Sequence, residues 1–218
     1  MARRLKSPTR TISNRGDHPR FIGQFPCNKG TSFPLTFDSL SALTVGIYLE
    51  WRPDIQKLSF EPREHSFAAT ERLPAVRCNP DYEAEMDCGT VAFFEAKYDE
   101  ESLRPEEREK LQHTAAHFHA SGYDYQVIFR RELEKSGFID TVLLLRRYGL
   151  QRISPDMVSN ALTRLAKPDT EALALEQWRD LALSAGVPVS LLYHLLYHQY
   201  LPLFYRPLLI SEFLSCRP

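Results

Sequence analysis

The chain has 218 residues, 43% of them hydrophobic, and a formal net charge of −1. That length allows one large domain or two small ones, and the composition is ordinary for a folded globular protein. Cys27, Cys78, Cys88 and Cys216 have no C-x-x-C spacing, which argues against a zinc site, and a disulfide scaffold is implausible in a chain this long. No run of about 18 uninterrupted apolar residues exists, so no membrane span is expected. The N-terminus has charge but no apolar segment behind it, so no secretory signal is expected either, and a cytoplasmic location with reduced thiols follows.

Residues 1–20 carry Arg3, Arg4, Lys6, Arg10, Arg15 and Arg20 among Ser, Thr, Pro and Asn. They read as a flexible basic arm of the kind that holds phosphates, or as a solvated tail. The following FIGQFPCNKGTSFP is broken by Gly and Pro and is expected to be irregular. Leu40, Leu43, Ile47 and Trp51 recur at helical spacing, with Asp38 or Ser39 as the cap and Pro53 as the stop, which predicts a helix over 38–51. Strands are predicted over 55–60, 65–69, 77–85 and 90–97, with Asp87-Cys88-Gly89 turning between the last two. Pro105 to Ala120 reads as a charged helix, Tyr123 to Phe129 as a buried strand, and Gly137 to Tyr148 as a short helix. From about residue 151 helices are predicted over 154–166, 170–184 and 189–197, and LPLFYRPLLISEFLSC then reads as two short strands. The pattern divides the chain into a basic arm (1–20), an α/β domain (21–150) with a sheet flanked by helices, and a winged-helix-like domain (151–218).

One constellation carries chemistry. Glu95 and Lys97 are two positions apart on one predicted strand, so their side chains share a face. Asp81, in Asn79-Pro80-Asp81-Tyr82, belongs to the preceding strand. Two carboxylates from neighbouring strands suit a hard divalent cation such as Mg2+, with the Ala96 carbonyl as a further ligand and Lys97 beside the bound water. A cation that activates water and neutralises phosphate is what phosphodiester hydrolysis needs. The competing reading is a surface ion pair on a sheet edge.

The Pro-Asp strand followed by Glu-x-Lys resembles the PD-(D/E)xK nuclease superfamily. Together with the early helix ending Leu49-Glu50-Trp51, the charged helix, the YDYQVIF strand and the C-terminal helices and hairpin, roughly residues 20–210 look like TnsA, the endonuclease subunit of heteromeric cut-and-paste transposases. The resemblance implies a restriction-endonuclease-like mixed sheet and a Mg2+-dependent endonuclease that tolerates Mn2+. Such an enzyme cuts the 5′ strand at double-stranded transposon ends, working with the DDE transposase subunit TnsB and the AAA+ regulator TnsC in the bacterial cytoplasm at the nucleoid. Carried over by position, Asp81 and Glu95 are metal ligands and Lys97 is the catalytic lysine. The family's first-helix glutamate falls on Ala42. Three explanations stay open: an introduced substitution that silences cleavage, which is favoured because the rest of the site is intact; a natural loss; or Asp38 supplying the charge. Glu50 is a second candidate acid, more readily read as a surface or salt-bridge residue.

Other residues divide between chemistry and surface. Glu83 and Glu85 share the Asp81 face and are read as solvent-facing. His113, His117 and His119 are read as a solvated helix face. In LLYHLLYHQY, the leucines are expected in the core, and Tyr193, His194, Tyr197 and His198 at an exposed protein-docking edge. Arg130-Arg131 and Arg146-Arg147 are either DNA contacts or simple surface charge. The competing functions are a restriction- or resolvase-type nuclease acting alone, and a non-catalytic subunit bridging transposase and ATPase.

Overall fold

The computed structural model describes residues 21–71, 73–165 and 172–203. The basic arm and residues 204–218, which include most of the expected C-terminal hairpin, lie outside the described residues. Those described fall into two compact units that divide between Leu133 and Glu134.

The first unit is a mixed sheet with a helix on each face. It begins with a short antiparallel hairpin, β1 (Gly23–Phe25) and β2 (Leu35–Phe37), where the sequence suggested only irregular chain. Helix α1 (Leu40–Trp51) follows, then β3 (Ile55–Phe60), β4 (His65–Phe67), β5 (Val76–Cys78), β6 (Tyr82–Met86) and β7 (Val91–Lys97). Helix α2 (Pro105–Ala120) and β8 (Asp124–Phe129) complete it, and α3 (Arg130–Lys135) contains the division between the units. The main sheet runs β3-β6-β7-β8; β3, β6 and β7 are antiparallel neighbours and β8 lies parallel to β7. A parallel pair needs a crossover, and α2 supplies it. The strand expected over 77–85 is instead two: β5 pairs only with β4, and the chain breaks at Asn79-Pro80-Asp81 before β6 joins the main sheet. Pro80 has no N–H to give a ladder, which explains the break.

Because both faces are covered, β7 reads as a nearly continuous apolar run. On one face Phe93 joins Leu111, Ala115 and Phe118 of α2 and Tyr125, Val127 and Phe129 of β8 in a buried core. On the other face α1 lies against Tyr82. Its approach is so close that a Cβ at Gly46 would sit 2.5 Å from the Tyr82 hydroxyl. That hydroxyl donates to the Ala42 carbonyl at 2.6 Å. Phe94, opposite Tyr82 in the ladder, lies under the Arg52 guanidinium just past the end of α1.

The second unit is helical: α4 (Phe138–Gly149), α5 (Pro155–Leu165), α6 (Leu175–Ser184) and α7 (Val189–Tyr197). It starts before the residue 151 expected from sequence, because α4 packs on α7. The two helices meet where Gly149 has no side chain; a Cβ there would overlap the Tyr197 ring. Trp178 of α6 is fully buried and donates its Nε1 hydrogen to the Pro202 carbonyl at 2.8 Å. No helix among the described residues is long and apolar enough to cross a membrane.

Candidate active site

The end of the first unit's sheet gathers the charged residues. The antiparallel register pairs Tyr82 with Phe94, so Asp81, one residue earlier, comes level with Glu95. The Asp81 carboxylate reaches across to accept the Ala96 N–H at 2.7 Å, and its own carbonyl accepts the Glu61 N–H at 2.8 Å. Residue 81 is therefore held from both neighbouring strands' ends rather than left on a loop. Glu95 and Lys97 share the face of Phe93, the face that α2 covers. Lys97 Nζ lies 3.0 Å from Glu95 Oε1 and 3.2 Å from Glu107 Oε1, in the first turn of α2. The Lys97 and Glu95 side chains keep 24% and 17% exposure, so the cluster is sheltered yet open to a ligand.

The electrostatics follow from that shelter. Burial pushes the Asp81 carboxyl well above the usual carboxylate range, and the nearby Glu95 charge adds to it; the Ala96 N–H and Lys97 act against them. Burial likewise raises Glu95, opposed by Lys97. Burial acts against the charge on Lys97, but Glu95 and Glu107 outweigh it and hold the ammonium above its ordinary value. It therefore stays protonated at neutral pH and acts as a fixed cation, not as a base. Two carboxylates that both resist ionisation, beside a permanent cation, form the kind of perturbed cluster found at functional sites.

The positions proposed for a third acid come out differently. Ala42 is fully buried in the first turn of α1, its N–H capped by Ser39 Oγ at 3.0 Å. Ser39, not Asp38, is thus the cap. Asp38 precedes the helix, one residue before its cap. Its charge nonetheless adds the smallest of the pushes on Asp81, which brings it within electrostatic range of the site. Glu50 is not on the surface: it is 3% exposed and accepts the Asn28 N–H at 2.8 Å. Among the described residues, no group of three or more His, Cys, Asp or Glu side chains is placed to hold a metal ion. What the site offers is the carboxylate pair of Asp81 and Glu95, hard oxygen donors of the kind Mg2+ prefers.

The remaining expectations divide as follows. Glu83 and Glu85 pair with Arg63 at 3.5 Å and Lys57 at 2.7 Å on the outer part of the sheet. The histidines of α2 divide: His113 and His119 are half-buried, while His117 is buried, stacked on Phe67, with its Nε2 2.8 Å from the Pro74 carbonyl, and so does not belong to a solvated face. Nor do Tyr193, His194 and Tyr197 form an exposed docking edge. All three are buried, and His194 Nδ1 lies 3.2 Å from the Tyr148 carbonyl. His198 is exposed, with Nε2 2.9 Å from the Gly149 carbonyl. Arg131 is engaged by Asp99 at 2.8 Å and Glu101 at 3.1 Å, and Arg130 lies over the Tyr98 ring. Sequence reasoning missed Glu107. Its only signal was an acid in the first turn of the helix after Glu-x-Lys, a position where acids are common in any case.

Among known protein families no model matches this chain, and no curated protein matches its sequence.

Proposed function

We propose that this chain is a divalent-metal-dependent DNA endonuclease with a restriction-endonuclease-like sheet, acting at transposon ends beside a DDE transposase and an AAA+ regulator in the manner of TnsA. The observation that carries the reading is the register that sets Asp81 level with Glu95, with Lys97 3.0 Å from Glu95. The mixed sheet order, with a helical crossover into the parallel β8, supports the fold assignment. The second unit's helices are consistent with a winged-helix-like module. Asp81, Glu95 and the Ala96 carbonyl would hold Mg2+ or Mn2+, which when bound supplies Lewis-acid activation of water and phosphate. The Ala96 N–H fixes the Asp81 carboxylate before any ligand arrives. Lys97 places a permanent positive charge where the scissile phosphate gains negative charge. Because Asp81 and Glu95 retain protons more tightly than free carboxyls, cation loading displaces protons and strengthens as pH rises.

Residue 42 decides how well the chain cuts. The test is nicking of duplex DNA with Mg2+ and with Mn2+, with and without the partner transposase, comparing the chain as it stands with Ala42→Glu and Ala42→Asp. Ala42 has no exposure, so each variant's melting temperature is measured alongside. A gain of about tenfold or more in the acidic variants is expected if the helix acid is the missing part. Equal rates refute Ala42 as a lost catalytic position, and cleavage of branched DNA without partners favours a stand-alone nuclease. The second reading, a non-catalytic bridging subunit, is favoured by the burial of Ala42, which leaves no acid at the helix position. It prevails if no variant cuts under any of these conditions.

A further inference from the structure

Lys97 has two carboxylate partners from two different elements, and only one of them is wanted for a cation. Glu95 lies two residues away on β7, while Glu107 comes from the first turn of α2. We propose that Glu107 is a positioning residue that keeps Lys97 in its working place when Glu95 turns to the cation; this rests on the nuclease reading above. A lysine has a long flexible stem and a single point charge, so one partner locates it poorly and two locate it well. If Glu95 is given to a metal, Glu107 is the partner that remains.

The chain around Glu107 is built to stay put. Helix α2 is fastened to the sheet by Leu111, Ala115 and Phe118 in the Phe93 core. The loop that leads into it is closed twice. Asp99 accepts the Ser102 N–H at 2.6 Å, and Arg108, next to Glu107, donates to the Glu100 carboxylate at 2.8 Å and the Glu100 carbonyl at 3.0 Å. Glu107 itself is 42% exposed, so its pairing with Lys97 stays within reach of solvent and of a ligand. A supporting side chain held by its own neighbours is what keeps a reacting group within a fraction of an ångström of its place.

The experiment compares Glu107→Ala, which removes the carboxylate, with Glu107→Gln, which keeps an oxygen acceptor there. In the Ala42→Glu background with Mg2+, Glu107→Ala should lower kcat about tenfold while KM for duplex DNA stays within about twofold, and Glu107→Gln should recover most of the loss. A readout that needs no cleavage runs beside it: acetylation of Lys97 by an amine-reactive ester, followed by mass spectrometry. Lys97 should label several-fold faster in Glu107→Ala, and added Mg2+ should widen the gap as Glu95 is drawn away. Melting temperatures should stay within about 2 °C of the parent, since a half-exposed ion pair contributes little to stability. Equal kcat across the Glu107 variants of an active protein, or equal labelling of Lys97, overturns the proposal. Failure of every variant to cut, the Glu107-intact Ala42→Glu protein included, overturns the nuclease reading, and the labelling then still decides whether Glu107 holds Lys97.

Discussion

The end of strand β7 and helix α7 bury polar side chains in opposite ways. In α7, His194 is buried, yet its ring finds the Tyr148 carbonyl at the end of α4, and the exposed His198 finds the Gly149 carbonyl beside it. These rings cap a helix end and hold two helices together, which is a structural use of a polar group. At the end of β7, by contrast, Asp81 and Glu95 are brought together out of full contact with water; burial works against the charge on each, and the Glu95 charge adds to it at Asp81. Sheltering carboxylates costs desolvation that packing alone does not call for. If the nuclease reading holds, the contrast separates polar burial that completes a backbone from polar burial kept for a ligand.

The sharpest break in the comparison comes from the carboxylate end. In the Ala42→Glu background, Glu95→Gln should lower nicking at least about 100-fold while leaving the melting temperature unchanged or higher. A loss of less than about threefold would mean that Glu95 serves structure as the α7 histidines do. Next in size is the packing end. Gly149→Ala forces a methyl group into the Tyr197 ring, and thermal or urea unfolding should show a loss of about 1–3 kcal/mol. No loss would mean that α4 and α7 yield easily and that their histidine bonds have slack.

The smallest effect is a matter of sign. A carboxyl whose folded pKa is raised binds protons better in the folded state, so its contribution to stability falls as pH rises from the ordinary value of 3.8 to the raised one. Asp81→Asn should therefore add about 1 kcal/mol at neutral pH, with little change below pH ~4. Burial holds His194 below its ordinary 6.5, so its contribution runs the other way. It is present above that value and is lost as pH falls from it toward the lowered one. Denaturant midpoints measured across that range should slope oppositely in Asp81→Asn and in a His194→Asn variant when each is compared with the parent. Parallel slopes would erase the distinction between the two regions.

How much was legible follows the range of the interactions. Glu95 and Lys97 share a strand, and period-two alternation puts them on one face without further information. Asp81 was legible from the Pro-Asp pair ahead of Glu-x-Lys and the turn at Asp87-Cys88-Gly89, although the break that Pro80 makes in the expected 77–85 strand was not. Glu107 was not, since it meets Lys97 only through the crossover that lays α2 on the sheet. Glu50 was misread because an acid near a helix end looks solvent-facing until the segment holding Asn28 folds over it. The α7 tyrosines were misread in spite of a usable clue: a helix apolar on every side is a buried helix, and LLYHLLY has no charged face. The β1–β2 hairpin escaped because its strands have three residues each and the loop between them is long.

Residues 81 and 82 are neighbours in the chain with opposite allegiances. Asp81 gives its carboxylate to the ionic cluster, and Tyr82 ties its hydroxyl to the first turn of α1. A slide or tilt of that helix is thereby passed to the cluster through one peptide unit, like a lever with a very short arm.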